Sequence, residues 1–250
     1  MAALLVIGTA VYKKYGAWED PSNTLSYSAP VQNSVQSINT NYTIAPQDAF
    51  VNKNFDANDN LTDRFAKTAF ATYVSLQNGG MSDSDAQNNV VNSLVGATEN
   101  ISTPERYSIK DLKTFNSQDK GALKDYGNQF ATIVQTNLAI VANNQDTYSS
   151  DISGVGDIYD TISLQLSQIK VPEALVTQHL KIVNDYVSLA QDIRDLAKYQ
   201  TDPLKGMLAM KDAKDIQDND PAVYIQISDY FKSSGILFDK TEPGYSWWAQ

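Results

Sequence analysis

The sequence of 250 residues contains no cysteine and a single histidine, His179. The absence of cysteine excludes disulfides, thiolate nucleophiles, iron–sulfur clusters and cysteine-ligated zinc. One imidazole supplies too few nitrogen ligands for a metal centre built from histidines. We therefore predict no metal, no cofactor and no catalytic residue, and we expect a protein that is not an enzyme.

Positive charge is also scarce, with 19 Lys and Arg against 29 Asp and Glu and a formal net charge of −10 at pH 7. A nucleic-acid-binding protein needs basic side chains to neutralise phosphates, so we predict no nucleic-acid partner. Charged residues are only 19% of the chain, below the usual ~25%, and the uncharged polar residues Asn, Gln, Ser and Thr are correspondingly abundant. The apolar fraction of 42% is large enough for a globular core.

Residues 1–16 contain an uncharged apolar run over 2–12, followed by Lys13 and Lys14. A helix of that length covers roughly 16 Å, about half of a ~30 Å hydrocarbon core. We favour a truncated membrane anchor that starts upstream; a short signal-like segment and a part of the folded body remain alternatives. The lysines follow the run, whereas an exporting anchor usually has them before it. The residues expected in the membrane are Leu4, Leu5, Val6 and Ile7.

Residues 17–57 differ in composition from the rest, since polar uncharged side chains dominate and Pro21, Pro30 and Pro46 interrupt them. Such a stretch has too few apolar side chains to offset its ordering entropy, so we predict an extended polar linker. An apolar segment, a linker and a globular body in this order are typical of a tethered protein. The absence of cysteine is compatible with an extracytoplasmic location.

Residues 58–250 are predicted to be all-α, a bundle of about six or seven helices with a four-helix-like centre. Apolar residues step by three and four over long segments, which indicates helices packed through a seam. Asp202-Pro203 and Asp220-Pro221 each resemble an N-cap followed by a first-position proline, so we expect two shorter helices at the end. The clearest stripe comprises Leu175, His179, Ile182, Tyr186, Leu189, Ile193 and Leu196.

Several short motifs are weak. Asp56–Asn60 resembles the start of a calcium loop but lacks the glycine and the glutamate that complete one. Ser117–Lys120 fits Ser-x-x-Lys without its companion motifs, and we predict that Ser117 caps a helix.

Asp215, Asp218 and Asp220 are expected in a solvated turn. Gly154-Val155-Gly156 predicts a helix kink or break at which another element approaches closely. His179 lies on a core stripe, which favours a buried structural imidazole.

The aromatic C-terminal tail is the strongest candidate for a binding surface. Tyr245, Trp247 and Trp248 follow a predicted turn at Pro243-Gly244. Trp and Tyr dominate protein interfaces and also settle at membrane boundaries. We favour a tail that folds back to fill the core; the alternative is a partner or membrane contact, and Tyr245, Trp247 and Trp248 are the residues predicted to make a partner contact.

The body also carries a resemblance. The segments LTDRFAKTAFATYV, VPEALVTQHLKIVNDYVSLAQDIRDLAKYQTDPLKGMLAM and YFKSSGILFDKTEPGY resemble an uncharacterised family of membrane-tethered helical proteins from bacteria of the candidate phyla radiation. The resemblance covers roughly residues 58–245. It implies a tethered extracytoplasmic helical domain that serves a surface appendage or a secretion apparatus, and it transfers no catalytic residue.

We therefore expect a non-enzymatic, membrane-anchored helical domain that takes part in a bacterial cell-envelope assembly through protein partners. A second hypothesis is a soluble helical protein that binds a small molecule or glycan in a pocket lined by Tyr126, Tyr159 and Tyr186. A third, less favoured, is a hydrolase that uses two carboxylates.

Overall fold

The computed structural model describes residues 60–99, 101, 103, 105–116 and 118–248. The segment 1–16 with Leu4, Leu5, Val6 and Ile7, the linker 17–57 and the calcium-like motif at Asp56 lie outside the described residues, as does Ser117. The described chain divides into two compact units, one formed by 63–101 and the other by 60–62 together with 102–248.

Two helices make up most of the smaller unit, namely α1 (Leu61–Asn78) and α2 (Asp83–Glu99). Helix α1 ends at the predicted glycine pair, where Gly80 has φ +88°, a conformation that favours glycine. The hydroxyl of Ser82 accepts a hydrogen bond from the Asp85 N–H at 3.2 Å and caps α2, as its sequence motif predicts.

The larger unit is a helical bundle with two very short strands. Strands β1 (Lys113–Phe115) and β2 (Lys170–Pro172) pair in parallel, and short 3₁₀ helices lie at Ile109–Asp111, Glu173–Leu175 and Pro243–Trp248. The helices are α3 (Lys120–Asn143), α4 (Gln145–Ser150), α5 (Ser153–Gln168), α6 (Val176–Ala197) and α7 (Pro203–Ser233). The described part of the chain thus contains seven α-helices, and the predicted all-α bundle is confirmed. No helix within it is both long and apolar enough to span a bilayer.

Helix α6 lies at the centre of the larger unit and is buried along most of its length. Its apolar stripe packs against α5 and α7, and small or polar residues fill the flanking positions. At Gly156 the α5 backbone approaches α6 so closely that an added Cβ would lie 2.8 Å from the Ala190 carbonyl oxygen. The predicted close approach is therefore confirmed, while the helix break falls slightly earlier, at Asp151 and Ile152.

Helix α7 corrects one prediction. Asp220-Pro221 does not start a new helix, because α7 continues through Pro221 to Ser233. Proline removes one helical N–H, which would otherwise bond the carbonyl of Gln217. The buried face continues on both sides of it, from Ile216 to Val223, and its packing outweighs that local loss. Asp220 is buried in an ion pair with a neighbouring helix, whereas Asp215 and Asp218 pair with lysines on the surface of α7.

Asp202 caps two helices at once. It is the N-cap of α7, where its carboxylate lies 3.4 Å from the Lys205 N–H. The same carboxylate accepts hydrogen bonds from the N–H groups of Leu61 and Thr62 at 2.6 and 2.9 Å, at the start of α1. The Thr62 hydroxyl connects the same two helix ends, because it donates to Asp202 and accepts from the Leu204 N–H. Four donors that the two helix ends leave without intrahelical partners are satisfied in this way.

Candidate functional site

The C-terminal tail folds back onto the bundle and inserts Trp247 into its core. Only 3% of Trp247 is exposed. The indole Nε1–H donates to the Gly127 carbonyl at 3.1 Å, and the Trp247 carbonyl accepts from the Ser228 hydroxyl at 2.9 Å. Three aromatic rings surround the indole, with centroid distances of 5.0 Å to Phe130, 5.4 Å to Phe231 and 5.9 Å to Tyr224.

Polar contacts and glycine positions fix the rest of the tail against α3. The Gly244 N–H donates to the Asn128 side chain at 2.9 Å, and Lys124 pairs with Glu242 at 2.9 Å. The ring of Phe238 lies against two glycines: an added Cβ at Gly127 or at Gly244 would come 2.4 Å from it. A side chain at either position would therefore displace the buried ring of Phe238, and this close fit helps to specify the path of the tail.

Part of the tail remains at the surface, and we define the tail surface as Leu237, Tyr245 and Trp248. Leu237 is 78% exposed and Tyr245 is 38% exposed. Trp248 is half-buried, with its ring 5.6 Å from that of Phe238 and the Lys232 ammonium 5.6 Å above it. The predicted partner contact thus rests on Tyr245 and Trp248, since Trp247 packs in the core and offers no surface to a partner.

His179 is a buried structural residue, as its place on the core stripe predicts. Its Nε2 lies 3.0 Å from the Leu166 carbonyl, which can only accept, so this nitrogen carries the proton. Nδ1 then accepts a hydrogen bond from the Tyr126 hydroxyl at 3.1 Å. Burial disfavours the imidazolium and lowers the pKa of His179 to about 4.

This lowered pKa predicts acid sensitivity. A neutral buried histidine stabilises the fold above its unfolded pKa of about 6.5, and the contribution is lost as pH falls toward 4. The advantage in unfolding free energy of the wild type over a His179→Gln variant should therefore shrink by about 2 kcal/mol between pH 7 and pH 4.5. Denaturant titrations of both proteins at the two pH values measure it. A constant difference would show that His179 is not held neutral.

The three tyrosines proposed to line a ligand pocket are core residues. Tyr126, Tyr159 and Tyr186 are buried, and the rings of the last two are in tilted contact, with their centroids 5.8 Å apart. A groove of about 480 Å³ lies elsewhere, between α3 and the end of α5. Its lining is rich in amides and comprises Gln129, Ile133, Gln165, Gln168, Ile169 and Lys170. Sequence reasoning missed this groove because its residues come from α3, from the end of α5 and from Ile169 and Lys170 that follow α5.

Two carboxyl pairs lie between α6 and α7, and the sequence analysis did not anticipate them. Asp185 and Asp220 both pair with Lys181, at 2.6 and 3.0 Å, while burial and the neighbouring carboxyl of Asp212 raise the pKa of Asp192 to about 9. No three Asp, Glu or His side chains within the described ranges form a set that could hold a metal ion.

Comparison of the chain with protein families, with curated proteins and with solved structures found no match.

Proposed function

We propose that the protein is a non-enzymatic, membrane-tethered helical domain on the outer face of a cytoplasmic membrane. It binds a protein partner in a cell-envelope assembly, and the tail surface makes the contact. The apolar segment 1–16, the polar linker 17–57 and the family resemblance support the tether. The exposed aromatic and aliphatic side chains of the tail support the partner contact.

The observation that carries this proposal is the way in which the tail is held. Trp247 anchors it in the core, while Leu237, Tyr245 and Trp248 remain at the surface beside it. A binding surface that is already ordered loses little conformational entropy when a partner docks. Tyr and Trp supply large contact areas and are enriched among residues that dominate binding energy.

Site-specific cross-linking in intact cells tests the contact. A photoreactive phenylalanine analogue placed at Tyr245 should give an adduct of one defined mass, and Leu164, about half exposed on α5, is the matched control position. Adding Leu237→Asp should reduce the adduct about tenfold or more, because a buried charge at an interface costs at least ~1.4 kcal/mol. Equal labelling from both positions, or no adduct from Tyr245, would count against a partner at the tail surface.

The amide-lined groove favours a second candidate function, the binding of a small polar ligand or glycan. Gln129, Gln165, Gln168 and Lys170 present donors and acceptors toward one concave surface. A thermal-shift screen of soluble oligosaccharides tests this candidate, with Gln168→Ala as the variant that should lose any response. A screen without a shift, or a shift that survives Gln168→Ala, would remove the groove from consideration.

A further inference from the structure

The two short strands bring two lysines together at the end of the amide-lined groove. Strands β1 and β2 pair in parallel with Lys113 opposite Lys170. Residues opposite each other on neighbouring strands project from the same face, and the strands lie about 4.8 Å apart. Both lysines are exposed, and Lys170 also lines the groove. We call these two residues the lysine pair; it adds a cation from a distant part of the chain to the one already in the groove.

Neither lysine of the pair forms an ion pair within the described part of the chain. The acidic residues closest to them in sequence are Asp111 and Glu173. The Asp111 carboxylate accepts hydrogen bonds from the N–H and the hydroxyl of Ser108, both at 2.8 Å, and Glu173 is exposed after the end of β2. Two like charges on neighbouring strands repel each other, so an anion bound between them would relieve a repulsion that the fold imposes.

The groove beside the lysine pair is rich in amide groups that can bind hydroxyls. Gln165 Oε1 accepts a hydrogen bond from the Asn137 side chain at 2.9 Å, which leaves the NH₂ group of Gln165 to donate elsewhere. Gln129 and Gln168 form no side-chain hydrogen bond within the described ranges, so each offers both an acceptor and two donors. Hydroxyl groups donate and accept in turn, so these amides match the polar groups of a sugar.

The same groove also has an apolar component. Ile133 of α3 and Ile169, which follows α5, are part of its lining. Ligand sites combine apolar contact with a few placed polar groups, and a sugar ring presents C–H faces as well as hydroxyls. A small free anion would use only the lysine pair, whereas a glycan that carries negative charge would use the amides, the isoleucines and the lysines together.

We propose that the groove binds an anionic glycan, with the amides and isoleucines against its sugar rings and the lysine pair against its negative charge. This inference rests on the groove being a ligand site, the second candidate function, and it names the class of ligand. The chain has a formal net charge of −10, which repels a polyanion at long range. Binding of such a ligand therefore depends on the local charge of the lysine pair.

Isothermal titration calorimetry of the full chain with tetragalacturonic acid tests the requirement for negative charge. The fully methyl-esterified tetrasaccharide is the matched control ligand, because it keeps the sugar skeleton and loses the carboxylates. We expect the acid to bind about tenfold more tightly than the ester, since two exposed ion pairs are formed only with the acid.

Variants of the lysine pair test its position. Lys113→Ala and Lys170→Ala should each weaken binding of the acid about threefold, and the double variant about tenfold. Lys198→Ala is the matched control, because it removes the same charge at the far end of α6, roughly 30 Å along the helix, and should leave the affinity unchanged. All three lysines are exposed, so these variants keep the core intact.

The outcomes separate this inference from the groove candidate itself. Equal affinities for the acid and the ester would overturn the anionic ligand class and leave the groove as a site for neutral glycans. Absence of binding by both compounds would overturn the inference and the groove candidate together. An equal loss of affinity in Lys170→Ala and Lys198→Ala would also overturn the inference, because binding would then follow the net charge and not the lysine pair.

Discussion

Replacing Trp247 with alanine should lower the free energy of unfolding by about 4 kcal/mol, the middle of the roughly 3–5 kcal/mol range for a large aromatic side chain removed from a core. The indole is almost completely buried among three aromatic rings, and the truncation would leave a cavity between α3 and α7. It would also leave the Gly127 carbonyl without its indole donor. Chemical denaturation followed by far-UV circular dichroism measures the loss, since the helical signal does not depend on tryptophan.

Two neighbouring substitutions control this experiment. Trp247→Phe keeps most of the apolar volume and should cost about half as much as the alanine variant. Tyr245→Ala removes an exposed ring two residues away and should change the unfolding free energy by less than about 1 kcal/mol. Equal losses for Trp247→Ala and Tyr245→Ala would contradict the separation of the tail into a core anchor and an exposed surface.

Asp202→Ala should lower the free energy of unfolding by about 3 kcal/mol, more than the ~1 kcal/mol that is typical of one lost helix cap. The reason is that its carboxylate caps α7 and also accepts both leading N–H groups of α1. Removing it leaves the Leu61 N–H, which is buried, without a partner. Denaturant titration measures the loss in global unfolding free energy. Amide hydrogen exchange at Leu61 and Thr62 measures the loss of local stability at the start of α1.

Asp119→Ala is the matched comparison, because Asp119 caps only α3 through the N–H groups of Gly121 and Ala122. That variant should lose about 1 kcal/mol. Asp202→Asn retains one acceptor oxygen and should fall between the two. A loss from Asp202→Ala no larger than that from Asp119→Ala would mean that the capping of the second helix contributes little.

Much of the fold is predictable from local patterns. The three-and-four spacing of apolar residues correctly predicts α6 and its buried stripe. The glycine pair at Gly79 and Gly80 correctly predicts the end of α1. Asp202-Pro203 is a correct helix start. The same dipeptide pattern fails at Pro221, because packing along α7 outweighs a local signal. Strands β1 and β2 are three residues each and pair across more than fifty residues, so no local periodicity reveals them.

The candidate site is less predictable. The sequence marks the tail as aromatic but does not decide which ring enters the core, since that depends on the space left by Gly127 and the rings around it. The carboxyl pairs join residues on different helices, so their contacts are not encoded in local spacing. One signal was present: Asp185 and Asp192 immediately precede the stripe residues Tyr186 and Ile193, which places acidic groups at the edge of a core.

The central claim, an external tethered domain, is tested most directly by fractionating cells that make the protein from its natural gene. A carbonate wash of the membranes would be combined with protease treatment of intact cells. We expect the protein to stay with the washed membranes and its helical body to be digested from outside. Release into the soluble fraction, or a body protected from external protease, would contradict the tether and would favour the groove-binding alternative.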